Sequence, residues 1–315
     1  MRSLVSWYNL NGMKPNQQVF GHLLALFTIL IWGITFISTK VLLASFSPVE
    51  VMFFRLVFAV LALMIASPPR WNWNGLGWQT LRQEWKVMAA GLCGVTLYFL
   101  FQNIALEYTQ AANVGVLVSV VPLFTALVSR AVFGEKLKAN FFLGFSAAIV
   151  GITLITFNGS LVLKLNPLGD LLSILAALVW AFYSVLIKKI GAAQDTMLTI
   201  TRKVVFYGLL FLLPVLPLFG FHLGLERLVS LPNLLNLLFL GVGSSAISFL
   251  TWNSAVQILG PVRTSAYIYL VPIVAIIASV WVLHETITLV AWAGAALILS
   301  GMALSERDKN IQLSP

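Results

Sequence analysis

Six residues of this chain return at one fixed distance. Asn103, Ala105, Pro122, Glu135, Gly144 and Gly151 recur as Asn253, Ala255, Pro272, Glu285, Gly294 and Gly301, each 150 residues on. With small slips of register, Trp32 and Lys40 recur as Trp180 and Lys188, and Arg55 recurs as Arg202. Identity between the halves is otherwise low, so the shared spacing carries the argument. It constrains the chain to fold as two copies of one unit. Composition then fixes the solvent of that unit. Hydrophobic residues make up 60% of the chain and charged residues 9%, against about 25% charged in a soluble domain. So few charges cannot keep 315 residues of this kind in water.

A bilayer-spanning helix takes about 20 mostly apolar residues. By that measure the chain holds ten candidate spans, roughly 20–40, 50–67, 87–107, 112–133, 140–157, 169–187, 198–219, 234–257, 264–282 and 288–304. The fold class expected is therefore an all-α integral membrane protein, ten transmembrane helices arranged as two five-helix repeats. Residues 1–19 form a tail, 20–157 the first repeat, 158–168 a linker, 169–305 the second repeat and 306–315 a second tail. With the N-terminus inside, the inner segments collect Arg70, Arg82, Lys86, Arg130, Lys136, Lys138, Lys188, Lys189 and Arg263, among others. The outer ones hold only Lys40, Lys164 and Arg227. Positive charge marks the cytoplasmic side, which places both termini in the cytoplasm of a multi-pass cell-membrane protein. Five is odd, so the second copy enters the membrane from the opposite side and the repeats are inverted.

Several other classes are excluded. The net charge of +9 does not form one basic run, so it reads as membrane orientation and not as a nucleic-acid surface. Cys93 is the single cysteine, and no Cys/His cluster has metal spacing. His284-Glu285 lacks the second histidine of a zincin. No metal and no cofactor is expected. The apolar stretch of the first span is longer than a signal-peptide core, and Met13 offers an alternative start. The segment Pro68–Lys86, with Trp71, Trp73, Trp78 and Trp85, is expected to lie as a loop on the inner membrane surface.

Polar and aromatic residues at mid-span are the candidates for a site. Trp32, Tyr98, Gln102, Asn103, Trp180, Tyr183, Trp252, Asn253 and Tyr267 offer ring faces and hydrogen bonds to a small solute. Helix gluing by Asn103 and Asn253, and plain packing by the aromatics, are the competing readings. Arg55 and Arg202 lie several residues inside spans, where charge is expensive unless it meets a partner or a wet cavity. Snorkelling to the surface is the alternative, more so for Arg202. Pro122 and Pro272 sit near the middles of the fourth and ninth spans, where a proline removes a helical hydrogen bond and kinks the helix. Small residues at Gly144, Ala147, Ala148, Gly151, Ala291 and Ala295 permit close helix contact. They read as scaffold or as the face of a homodimer. No Asp or Glu lies clearly at mid-membrane.

Ten spans as two fives, a tryptophan in the first, and Pro48 with Arg55 at the second resemble the EamA-type family of the drug/metabolite transporter superfamily. The stretch NIALEYTQAANVGVLVSVVPLFTALVSRAVFGEKLKANFFLGFSAAIVGITLI resembles that family's third-to-fifth-span signature, and NSAVQILGPVRTSAYIYLVPIVAIIASVWVLHETITLVAWAGAALILSGMAL its second copy. The resemblance covers roughly 20–305. It implies a central cavity lined by the first four helices of each half, with the fifth as support. On that basis Trp32, Arg55, Asn103, Trp180, Arg202 and Asn253 are cavity or gate positions. Thr196 stands near where the first copy has Pro48, and His284 replaces Gly134, so substrate rules do not transfer. The function expected is a secondary transporter that moves a small organic metabolite, such as an amino acid, by alternating access, with export as its direction. A membrane-embedded enzyme or a channel is the alternative. No nucleophile elbow, paired mid-span Asp or charged filter is present to support either one.

Overall fold

The protein is described from a computed structural model, which covers residues 15–68, 78–108, 114, 117–134, 139–157, 166–191, 195–274, 277–278 and 289–306. It is all-helical, with no strand among the described residues. We label the helical rods in chain order. The first two are α1 (Pro15–Leu42) and α2 (Pro48–Ala66). The rod α3 runs Trp78–Gly91, through a π-helical stretch Leu92–Leu97, into Tyr98–Tyr108. Then come α4 (Val121–Phe133), α5 (Ala139–Phe157), α6 (Pro167–Ile190) and α7 (Met197–Leu212). The rod α8 runs Leu231–Leu238, through a second π stretch Phe239–Ile247, into Ser248–Leu259. Last are α9 (Pro261–Ala266, tightening to a 3-10 turn Tyr267–Leu270) and α10 (Leu289–Glu306). Six helical segments are long and apolar enough to cross a membrane, and three more are apolar but shorter. Leu23, Leu61, Leu143 and Trp292 are at least half exposed, an apolar exterior that suits lipid and not water.

Local chemistry sets the helix ends. Ser47 accepts from Glu50 N at 3.3 Å while the Glu50 carboxylate accepts from Ser47 N at 2.8 Å, a reciprocal capping box ahead of Pro48. Asn166 caps α6 through Leu168 N and Gly169 N, and Thr196 caps α7 through Thr199 N. The helix α4 stops at Gly134, whose φ of 72° only glycine adopts freely.

Four sequence expectations change. The fourth span is interrupted just ahead of Pro122. Residues 119–120 form a turn, and Pro122 sits in the first turn of α4. The 3-10 turn Tyr267–Leu270 occupies the matching place before Pro272. Proline lacks an N–H, so the turn before it tightens and the helix restarts. The seventh span likewise ends as a 3-10 segment, Leu213–Phe219, carrying Pro214 and Pro217. The expected loop Pro68–Lys86 is helical from Trp78 onward, because no Gly or Pro interrupts Trp78–Ala90. Trp71, Trp73, Glu135 and His284-Glu285 lie outside the described residues.

The fourth change concerns register between the halves. Gly91 lies against Val204 O, Tyr207 Cβ and Gly208 N, and Gly241 lies against Arg55 O, Phe58 Cβ and Ala59 N. The two contacts superpose if Gly91 matches Gly241 and Arg55 matches Val204. Arg55 and Arg202 are therefore not equivalent, and Arg202 matches Phe53 instead. The same exchange of halves relates most other contacts. The rod α1 packs antiparallel on α8 and α6 on α3; α2 meets the π stretch of α8 and α7 that of α3; α2–α7, α4–α9 and α5–α10 map onto themselves. Glycines at or beside both π stretches, Gly91 and Gly241, let the helices approach closely there.

In the α5–α10 pair a Cβ on Gly144 would stand 2.4 Å from Gly301 O, and one on Gly151 2.5 Å from Gly294 O. The small residues thus close a contact within one chain, away from the centre. At one end of the bundle, Glu50 is buried and takes two hydrogen bonds from Arg227, at 2.9 and 3.1 Å. It also accepts from His222 N. This pairing raises the Arg227 pKa above its ordinary value. At the other end Lys203 bridges Glu84 and Asp195 at 2.8 and 2.9 Å.

Candidate functional site

The centre of the bundle is aromatic. Trp32 of α1 meets Trp180 of α6 edge-on at 5.4 Å and Trp252 of α8 at 5.0 Å between ring centroids. Trp180 also contacts Tyr98 at 4.6 Å and Tyr183 at 5.0 Å. Phe249 packs against Trp32, Trp180 and Tyr183. These residues stand at one height because α1–α8 and α3–α6 run antiparallel, which brings mid-span positions of both halves together. Trp32 donates to Ser244 O at 3.3 Å, whereas the indole N–H groups of Trp180 and Trp252 are buried without an acceptor among the described residues.

Arg55 joins this centre. It sits seven residues inside α2, about 10 Å from the helix start at 1.5 Å per residue. Its side chain does not turn back toward that end. The guanidinium donates from Nε to Ser245 Oγ and from Nη2 to Ser244 Oγ at 3.0 Å, and it lies over the Phe99 ring at 4.4 Å. No carboxylate pairs with it among the described residues. Ser244, Ser245 and Phe99 were not singled out from the sequence. The available signal was a departure from the repeat: Ser244-Ser245 stands where the first copy has Gly94-Val95.

The remaining candidates divide. Asn253 is fully buried, accepting from Tyr183 Oη at 2.5 Å and donating to Thr201 Oγ1 at 3.0 Å. It ties α6, α7 and α8 together. Nearby, Lys188 donates to Gln257 O at 2.5 Å and Gln257 donates to Ile187 O. Arg202 is apart from the centre and donates to Ser67 O at the end of α2. Tyr267 is hydrogen-bonded to His22 at 2.6 Å, also away from the aromatic cluster. Gln102 and Asn103 of α3 are half-buried and make no hydrogen bond among the described residues.

The halves are thus related in architecture but not in closure. Trp32, Arg55, Phe99, Gln102 and Asn103 of the first half keep accessible surface, while their counterparts Trp180, Val204, Phe249, Trp252 and Asn253 are all buried. Accordingly, α6 packs against the second part of α8, whereas the equivalent α1 and second part of α3 make no more than marginal contact among the described residues. At one end hydrogen bonds seal α6 to α8, and at the other the described residues of α1 and α3 are parted.

Two homologous halves of apolar helices around a shared polar-aromatic centre, closed at one end, define a multi-pass membrane protein of the transporter class. The sequence profile of the EamA-like transporter family matches residues 19–157 and 167–306. The chain belongs to that family. Full-length relatives agree. An uncharacterized transporter of Archaeoglobus fulgidus is 29% identical over 293 residues, covering 90% of this chain and 96% of the relative. A probable terminal-alkyne amino-acid exporter of Streptantibioticus cattleyicolor is 28% identical, covering 94% and 95%. A probable amino-acid metabolite efflux pump of Escherichia coli is 24% identical, covering 90% and 93%. A protein of known crystal structure shares the fold, with a TM-score of 0.72 over 93% of this chain and 97% of its own, at 20% identity.

Proposed function

We propose that this transporter exports a small organic metabolite, such as an amino acid, across the cell membrane by alternating access, through ten spans with both termini in the cytoplasm. The observation that carries this reading is the asymmetry of closure between halves that otherwise pack alike. With the positive-inside orientation, the sealed end, bearing Lys188, Lys189 and Arg202, is cytoplasmic, and the parted end faces outward. The inner seal consists of Tyr183–Asn253–Thr201 and Lys188–Gln257. Exchange of the halves carries these positions to Thr35–Asn103 and Lys40–Glu107 at the outer end. Here Thr35 donates only to its own helix, at Trp32 O, and Asn103 has no partner among the described residues. The second state then forms the outer seal and breaks the inner one. Such a switch between two packings moves the opening across a nearly fixed centre.

Export of amino acids is supported by likeness to the probable terminal-alkyne amino-acid exporter of Streptantibioticus cattleyicolor and the probable amino-acid metabolite efflux pump of Escherichia coli. Counterflow of amino acids in proteoliposomes tests it. Saturable uptake stimulated by unlabelled substrate inside the vesicles is expected. Flux that never saturates indicates a channel, and substrate recovered chemically altered indicates an enzyme; either contradicts the proposal.

A further inference from the structure

Arg55 is a fixed cation at mid-span depth whose neighbours do not neutralise it. A guanidinium carries five N–H donors. Two are used by Ser244 and Ser245, and the other three have no acceptor among the described residues. Hydroxyls and the Phe99 ring orient the group but leave its charge uncompensated. The carboxylates of α2 and α3 whose side chains are described are engaged elsewhere, Glu50 with Arg227 and Glu84 with Lys203. A cation at this depth is costly unless a water-filled cavity or an anion meets it. The residue is not fully buried and keeps some accessible surface. Its two serine partners exist only in the second copy, so the arrangement belongs to this site and not to the scaffold that both halves share.

We infer that Arg55 anchors a carboxylate of the transported molecule through a paired hydrogen bond, with Ser244 and Ser245 holding the guanidinium in plane. This rests on the transporter reading and specifies its substrate class. A single positive charge matches a monoanion. A phosphate dianion would leave a net negative charge buried in low dielectric. Planar fork geometry favours carboxylate for the same reason that arginine recognises it elsewhere. Beside the guanidinium, Phe99, Tyr98 and Trp32 offer ring faces, which suit an apolar or aromatic body on the substrate. The substrate class is therefore a monocarboxylate with an apolar side chain, of which hydrophobic amino acids are one group.

Binding to the purified full chain in nanodiscs tests the inference, read as the ligand-induced shift in unfolding temperature. The probes are leucine, phenylalanine and phenylacetate, set against leucinamide, phenylalaninamide, phenethylamine and inorganic phosphate. Carboxylates should bind, with amides, amine and phosphate at least tenfold weaker. Arg55→Gln should weaken carboxylate binding at least tenfold and erase the preference for acid over amide, while Arg55→Lys keeps part of both. Ser244→Ala with Ser245→Ala should weaken acids while leaving amides unchanged. Unfolding temperature without ligand verifies that each variant folds. Amides binding as well as acids, undiminished acid binding by Arg55→Gln, or no carboxylate binding at all would overturn the inference. Counterflow of a neutral or cationic probe would then leave the transporter reading standing. Acid binding without counterflow of any probe would instead strike that reading and spare the anchor.

Discussion

Replacing Asn253 by alanine should open the inner mouth. The side chain makes two buried hydrogen bonds, to Tyr183 and Thr201, which join three helices. Each is worth about 0.5–1.5 kcal/mol net, and a stranded buried hydroxyl adds about 1–3 kcal/mol in the sealed state. Opening wets Tyr183 and Thr201, so most of that cost falls on one state only. A differential of about 2–3 kcal/mol shifts the equilibrium roughly 30- to 150-fold, at 1.4 kcal/mol per tenfold. Ile187 is fully buried within this seal, where Gln257 donates to its carbonyl. In a Cys93→Ala background, an Ile187→Cys reporter should react with a membrane-impermeant thiol reagent in inside-out vesicles. Its rate should rise by about that factor when Asn253→Ala is added, up to the limit set by full opening. A Gln102→Cys reporter at the other mouth should become less reactive in right-side-out vesicles. If folded Asn253→Ala protein leaves Ile187→Cys protected and Gln102→Cys unchanged, the seal is ordinary packing and the reasoning fails.

Other substitutions test other parts of the account. Gly301→Leu should abolish folded protein, since even a Cβ there meets Gly144 O at 2.5 Å, whereas Gly134→Ala, with open space around it, should cost only about 1 kcal/mol for its left-handed backbone; thermal unfolding in detergent compares them. Arg227→Ala strands the buried Glu50 carboxylate and should lower stability by about 2–3 kcal/mol, less than a fully buried pair because Arg227 is partly exposed, and Glu50→Gln in the same background should restore part of the loss. Arg55→Ala should lose flux at normal expression while Arg202→Ala, bound to Ser67 at a helix end, keeps most of it; equal flux from both would reduce Arg55 to a structural residue.

The repeat was legible because lipid demands apolar helices of set length, and fixed spacing survives when identity does not. Asn103 and Asn253, or Gly144 and Gly294, could be aligned from the sequence alone. The aromatic centre was legible for the same reason: Trp32 and Trp180 recur, and rings at mid-span are conspicuous. Register was harder. Two arginines near one offset, Arg55 and Arg202, suggested a pair, but the backbone contacts of Gly91 and Gly241 show Val204 as the counterpart. The prolines gave the position of each break but not its form, since a missing N–H is compatible with a kink, a 3-10 turn or a restart. Ser244 and Ser245 escaped notice because small hydroxyl residues are common in membrane helices. Only the guanidinium beside them gives them a role. The difference between the two ends was not legible at all. A sequence encodes both states, and the structure holds one of them.

A cross-link at the parted end is the most direct test of alternating access by exchange of seals. Thr35→Cys with Asn103→Cys places thiols at the counterparts of Tyr183 and Asn253, in a Cys93→Ala background. Joining them by a short bifunctional thiol reagent should hold the outer mouth shut, stop counterflow and expose an Ile187→Cys reporter from the inside, with all three reversed when the link is cleaved. Complete cross-linking with flux undiminished and Ile187→Cys still protected would contradict the account.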